Sequence, residues 1–463
     1  MSSALPGPPL EPHPMPSLKE VARNRSVIIF LLAIFILEIG ITAQFTALGK
    51  RVFDINGREL DLGLLGLAEF LPVALLVLLT GAIADRYDRR KVAALALLAE
   101  AAFSVALVFE VKRADAAIGP IFLLVIGYAV GRAFLSPSIR ALPSTIVAPV
   151  ALPRMSALYS GTYQAGLIVG PVAGAFLYTI DIWVPFAVSV VCLAVAAVLV
   201  MLVRIHPAYA PAAGSKSGTK PGPPDPQADP PADPEGRLSE ALQGLRVIRR
   251  EPLLLGAISL DLFAVLFGGA VALLPAVAEQ RLGVGVVGLG WLRAAAGIGA
   301  AAMTIKLALR PITRHVGATL FAVVGIFGLA TIVFGFTRNY AVAFGALVVL
   351  SGADSISVFI RTTLVPLVTP NEVRGRVGAV ENVFIGASNE LGAFESGLAG
   401  QLLGAGPAIM AGGAATIGIV VLWPILFPAI RNLDRFPFHH GFASNAADDD
   451  APLPGATSRG EES

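Results

Sequence analysis

Apolar runs of about 20 residues, the length a helix needs to cross a bilayer core, recur along this chain almost from end to end. That repetition constrains the fold more than any other feature, because one such run makes an anchor and many make an integral membrane protein. The charge content agrees. Only 14% of the residues are Asp, Glu, Lys or Arg, against roughly 25% in a soluble domain. The net charge of +2 does not point to nucleic acid, since most basic residues sit in short connections between the runs. The only cysteine, Cys192, lies in an apolar run, and the five histidines, His439 and His440 among them, show no zinc spacing. No disulfide framework, metal site or cofactor is therefore expected. There is no GxxxxGK[ST] loop, which argues against an ATP-driven pump, and no enzymatic activity is expected. Residues Met1–Lys19 are polar and proline-rich, and the first apolar run is too long for the core of a cleavable signal.

The fold expected is an all-α membrane protein with twelve transmembrane helices in two six-helix pseudo-repeats. In the first half the spans are Ser26–Leu48, Leu62–Ile83, Val92–Val111, Ala117–Leu135, Ser156–Tyr178 and Trp183–Val203. In the second they are Leu253–Ala276, Val286–Leu309, Gly317–Thr337, Ala341–Arg361, Val377–Leu403 and Ala408–Phe427. The chain thus divides into a tail (1–25), a bundle (26–203), a linker (204–252), a second bundle (253–428) and a second tail (429–463). His206–Gly236 is rich in Pro, Gly, Ala and Asp and reads as disordered. Leu238–Arg250 reads as a short amphipathic helix on the inner membrane surface, and Asn432–Ser463 as a disordered polar tail. Lys50–Asp61 reads as an external loop. Basic residues before the first span and in the alternate connections place both termini in the cytoplasm. The halves also match in detail. Ile139–Arg140 followed by Pro149 corresponds to Ile360–Arg361 followed by Pro370, and near that offset Glu38 falls opposite Asp261 and Arg132 opposite Asp354. A duplication of this kind builds two bundles around a central path.

Ionisable residues inside spans cost about 2.5–3.5 kcal/mol each on insertion scales and mark pathways by default. Here they include Glu38, Glu69, Glu100, Arg132, Asp261, Arg293, Asp354 and Glu390. For each the competing reading is a structural ion pair or an end residue reaching for water. In the eleventh span Glu381/Asn382, Ser388/Asn389 and Glu395/Ser396 recur every seven residues. That stripe should face the cavity or another helix. Glu38 and Asp261, each flanked by apolar neighbours, are the acids expected to couple transport to protons, with Arg132 as a counter-charge.

Between the second and third spans lies Gly81–Lys91, GAIADRYDRRK. On charge alone it is a basic turn retained in the cytoplasm. Its G-x-x-x-D-R-x-x-R-R spacing resembles the loop between helices two and three of the major facilitator superfamily of secondary transporters. The resemblance implies that Asp85 latches one conformation at a helix N-terminus and that Gly81 is a packing contact. It places Arg86, Arg89 and Arg90 in the same device, with Arg140 as a partner. In the fifth span Gly166, Gly170, Pro171 and Gly174 follow G-x-x-x-G-P-x-x-G. That pattern is similar to the antiporter motif of proton-coupled drug exporters, although Ala175 replaces the last glycine of its usual pair. Small residues at spacing four also serve ordinary close packing.

More narrowly, the stretches at 62–72, 260–275 and 369–397 resemble the enterobactin-exporter-like branch, over nearly the whole membrane part. That implies export of an organic solute, a siderophore or drug, by alternating access in exchange for protons. The partners implied are a small organic substrate, protons and the lipid of a bacterial inner membrane, with no nucleic acid and with the chain acting as a monomer. A proton-driven importer, or a sensor or scaffold that keeps the fold without moving solute, are the alternatives.

Overall fold

The computed structural model describes residues 17–113, 115–205, 243–370 and 373–437. Within them twelve long helices alternate in direction. The first half contains α1 (Arg25–Asn56), α2 (Glu59–Arg86), α3 (Arg89–Lys112), α4 (Ile118–Ala141), α5 (Leu152–Ile180) and α6 (Val184–Leu202). The second contains α7 (Pro252–Phe267, continued in short turns to Arg281), α8 (Val286–Leu309), α9 (Val316–Phe336), α10 (Tyr340–Val368), α11 (Arg374–Leu403) and α12 (Ala405–Leu426). Among the described residues, ten helices are long and apolar enough to cross a membrane by length and composition. Leucines such as Leu75, Leu95, Leu123 and Leu402 project outward fully or largely exposed, as lipid-facing side chains do.

Local chemistry sets the helix ends. The Asn24 side chain accepts from Ser26 N at 2.9 Å and starts α1. Gly57, in the left-handed region at φ 62°, stops it. The connection to α2 is therefore only Gly57–Arg58, and the expected loop Lys50–Asp61 is mostly helix. The apolar run ended before the helix did, because the last turns of α1 carry Lys50, Arg51 and Asp54, which are bonded to neighbouring elements. The seventh span is also not the continuous helix expected. It breaks at Gly268–Gly269, passes through a 3-10 turn (Ala270–Leu273) and ends in a π-type turn (Val277–Arg281). A Cβ at Gly269 would lie 2.6 Å from the Ser396 hydroxyl oxygen and 2.7 Å from the Gly392 carbonyl carbon, so the break lets α7 close onto α11.

The two halves repeat one packing plan. In the first, α1 packs on α5 and α6, α4 on α2 and α3, and α3 on α6. In the second, α7 packs on α11 and α12, α10 on α8 and α9, and α9 on α12. The interface obeys the same symmetry, with α2 against α11 and α5 against α8.

Two expectations about the connections change. Residues 243–250 form a helix that does not merely lie on a membrane surface. Its Ile248 is buried with Leu254, Ile258, Val365 and Val377, and Arg376 Nη1 donates to Gln243 Oε1 at 2.6 Å. The linker is thereby fastened to the first turn of α11. The second tail is likewise ordered at its start, where Gly317 N donates to Leu433 O at 2.8 Å and Val316 N to Asp434 O at 3.2 Å. These bonds satisfy donors at the beginning of α9 that a helix cannot satisfy itself. Residues 206–242 and 438–463, including the expected disordered segments and the His439–His440 pair, lie outside the described residues.

Candidate functional site

A cavity of about 460 Å³ lies between the halves, within the size range of small-molecule sites. Its wall is apolar over much of its area, through Phe45, Leu65, Val265, Phe327 and Leu350. The broken stretch of α7 lines it as well, at Gly268 and Gly269. Irregular backbone at membrane depth is tolerated where it borders such a space. The sequence held a signal for this feature, the Gly-Gly pair in an otherwise unbroken apolar run, but the pair alone did not locate a cavity.

Five helices bring charges to this wall: Glu69 from α2, Asp261 from α7, Arg293 from α8, Asp354 and Arg361 from α10, and Glu390 beside Asn389 from α11. Among the described residues, no hydrogen bond or ion pair reaches the carboxylate of Glu69, Asp354 or Glu390. Arg293 is half-buried, and its Nε is buried without a partner. The Glu390 carboxylate rests on the face of Gly66, where a Cβ would meet its Oε2 at 2.8 Å. Gly66 lies less than one turn before Glu69 on the same face of α2, so Glu69 and Glu390 confront each other across the interface. Asn389 donates to Ile385 O at 3.0 Å within its own helix.

Behind Glu69 lies a second group inside the first half. Arg132 on α4 stands over the Phe45 ring at 5.7 Å and is within electrostatic reach of Glu38, Glu69, Glu100 and Glu390. It forms no ion pair with any of them, and its Nη1 is buried without a partner. Glu100 on α3 has no exposed surface and, among the described residues, makes no ion pair, and the Tyr128 hydroxyl lies beside its carboxylate. Glu38 on α1 is 7% exposed and does not line the cavity.

The second half treats its acid differently. Asp261 on α7 is ion-paired to Arg361 on α10, and the same guanidinium reaches Glu381 on α11 at 3.1 Å. Ser357 Oγ donates to Asp261 at 3.5 Å. Asp261 and Glu38 occupy related places in the two repeats, yet one is fixed by an arginine and the other is not. Asp261, expected with Glu38 as a proton-coupling acid, thus sits in an ion pair, and its coupling role stays an expectation. Arg361 and Glu381 were visible in the sequence only as a repeat marker and as part of the stripe on α11.

The three motif glycines of α5, Gly166, Gly170 and Gly174, face α1. A Cβ at Gly166 would collide with Glu38 Cβ, one at Gly170 with the Thr42 hydroxyl, and one at Gly174 would lie 2.5 Å from Ala43 Cα. Thr42 Oγ1 donates to Glu38 O at 2.6 Å, in the same seam. The motif therefore sets how deeply Glu38 sits between α1 and α5.

In the Gly81–Lys91 stretch the structure assigns work to two arginines. Arg89 Nη1 donates to Ala141 O at 3.1 Å and Arg90 Nη1 to Val203 O at 2.9 Å. Both cations thus serve carbonyls at the C-terminal ends of α4 and α6. Asp88 caps α3 by accepting from Arg90 N at 3.0 Å, and its hydrogen bonds to Arg90 hold its carboxyl below the usual range. The side chains of Asp85 and Arg86, and the surroundings of Gly81, lie outside what the structure describes; Arg140 is exposed. The latch is therefore an expectation still.

The halves meet most closely toward one end. Glu59, Gly63 and Gly66 of α2 touch α11 between Glu390 and Gly400, and Gln164, Ile168 and Pro171 of α5 touch α8 between Gly290 and Gly297. Lys50 spans the halves at that end, 2.7 Å from Glu279. At the opposite end, where Arg89 lies, a Cβ at Gly161, Gly375 or Gly378 would meet nothing within 4 Å.

Residues 30–393 match the profile described as Major Facilitator Superfamily. The chain belongs to that superfamily. This facilitator shares its fold with several solved structures. One is a bacterial homolog of the human lysosomal transporter Spinster, inward-facing and unoccupied, with 17% identity, 88% of this chain and 95% of that one covered, and a TM-score of 0.59. A POT family transporter in complex with 5-aminolevulinic acid shares 12% identity over 88% and 97% of the two chains, with a TM-score of 0.66. The human organic anion transporter MFSD10 (TETRAN) shares 16% identity over 88% and 100%, with a TM-score of 0.56. No curated protein matches the sequence. The facilitator is a multi-pass membrane transporter and not an enzyme.

Proposed function

We propose that this facilitator exports an organic solute by alternating access and takes up protons in exchange. The observation that carries the reading is the cavity between the halves, where unpaired carboxylates from both halves face one another and Arg132 stands near without pairing. Such a carboxylate can accept a proton without breaking an existing ion pair. An arginine that moves against a carboxylate favours its ionised form. Rocking of one half on the other alters the distance from Arg132 to Glu390 more than to Glu69, because only Glu390 belongs to the other half. Proton release can thereby be tied to the change of access. Glu38 and Glu100, on the far side of the same arginine, give the proton further stations.

The basic end, with Arg89 and Arg90, faces the cytoplasm in this proposal, by the retention of basic connections on that side. The cavity, closed at the Lys50 end, is then the inward-facing state, ready to load a solute for export. Asp85 would hold the opposite state by its charge at a helix end, an effect of ~1 kcal/mol.

Vesicles containing the full chain, given an imposed pH difference and a panel of siderophores and dyes, test the reading. Solute accumulated against its gradient, with matching proton movement, supports it. Solute that moves only with the proton flux reversed in sense would make the facilitator an importer. A correctly inserted protein that moves no solute in either sense would leave the sensor or scaffold reading.

A further inference from the structure

We infer that the solute is an organic ammonium ion, an amine with an apolar body and a hydrogen-bond acceptor, whose charge lies between Glu69 and Glu390. This deepens the transporter reading and rests on it. The charges of the cavity decide the class. Asp261 and Arg361 also line it but neutralise each other in a direct ion pair. Three carboxylates, Glu69, Asp354 and Glu390, then face a single unpaired cation of the wall, Arg293. A polyanionic chelator would enter against that surplus. A cation is drawn to it, and in a space walled off from water the attraction is stronger than at a surface.

The geometry narrows the ligand further. Glu69 and Glu390 come from opposite halves and confront each other, so one ammonium group held between them touches both. An ammonium group carries donors enough for two carboxylates at once. Arg293 lines the cavity and offers only donors, so it suits an acceptor such as a carbonyl on the same molecule. Phe45, Val265, Phe327 and Leu350 complete the wall and suit a flat or branched apolar body. Asp354, which also borders a small void beside Phe327, extends the acidic surface away from the pair. The same two carboxylates are those proposed above to carry protons, and one site cannot hold both. Exclusion of one cation by the other is sufficient for exchange. The charged groups that face this pair are Arg132 from α4, Arg293 from α8 and Asp354 from α10, with Glu38 and Glu100 behind Arg132.

Binding to the full chain in lipid nanodiscs tests this without any transport. Doxorubicin carries one ammonium group, several acceptors and a flat ring system, and its N-acetyl derivative differs by loss of the charge. Fluorescein is an anion with a flat ring system. Doxorubicin is expected to bind at least tenfold more tightly than the acetylated form, and fluorescein not at all. Glu69→Gln and Glu390→Gln should each weaken doxorubicin binding at least tenfold, and Asp354→Asn less. Gel filtration and helical content, unchanged in those variants, guard against misfolding, and acidification of the unaltered protein should weaken binding in the same sense. Equal binding of the acetylated form, preference for fluorescein, or no binding of doxorubicin overturns the inference. If any of these occurs while solutes still accumulate in the vesicles under a pH difference, the transporter reading stands and only the substrate class is wrong.

Discussion

Lys50 Nζ lies 2.7 Å from Glu279 Oε2, and the two residues belong to different halves of the molecule. Lys50 also pairs with Asp54 one turn on, and Tyr178 of α5 donates to the other oxygen of Asp54 at 3.1 Å. Three helices are thereby tied across one end of the cavity. Glu279 is half exposed, so the pair is worth only about 0.2–1 kcal/mol. Glu279→Gln should shift the balance toward the state open at that end by at most about fivefold, the population equivalent of that energy. Paired spin labels near that end would read the shift as a new, longer distance. No change would mean that packing alone closes it.

Asp261 and Arg361 form the opposite kind of pair, buried and shared with Glu381. Removing one partner of a buried pair costs about 3–5 kcal/mol, while removing both is far milder. Arg361→Met should therefore lower the melting temperature sharply, and Asp261→Asn combined with Arg361→Met should recover much of it. Glu38→Gln, at the related place in the first repeat, should leave stability nearly intact and abolish pH-driven flux while exchange continues. Equal losses of folded protein in Glu38→Gln and Arg361→Met would contradict the distinction drawn between the two halves.

The α5 glycines give a graded stability test. Gly174→Val places bulk where Ala43 already stands, and overpacking of this sort costs about 1–3 kcal/mol. Gly418→Ala meets nothing within 4 Å and, inside α12, should raise stability by up to about 1 kcal/mol. Thermal unfolding in detergent would separate the two. If Gly174→Val unfolds with the parent protein, the seam between α1 and α5 is looser than described.

Orientation is tested with single cysteines in a Cys192→Ala background. A label added from outside should react at Asn56→Cys and spare Ser215→Cys, since basic connections are retained in the cytoplasm. The reverse pattern would place the cavity on the outer side and overturn the assigned direction of access.

Helix number, the two repeats and the list of intramembrane charges were legible because each depends on local composition or on spacing within one strand of sequence. What those charges do was less so. Glu69 and Glu390 are far apart in the chain, and only the packing of α2 on α11 reveals that they confront each other. Asp261 looked as free as Glu38, because an ion pair to Arg361 is a long-range fact. Lys50 marked the end of an apolar run and was read as the start of a loop, but its helix continues to Asn56. The arginines of the Gly81–Lys91 stretch read as charge that keeps the turn in the cytoplasm. Two of them also satisfy carbonyls at the ends of other helices, a role that spacing alone does not disclose.

The central claim is that one set of carboxylates in the cavity serves both solute and proton. Proteoliposomes loaded with a pH-sensitive dye and supplied with a series of organic ammonium ions test it most directly. Addition of an accepted cation should drive proton movement in the opposite sense, and Glu69→Gln or Glu390→Gln should abolish that movement while the protein stays folded. Cation flux with no proton movement, or proton exchange undiminished in both variants, would contradict it.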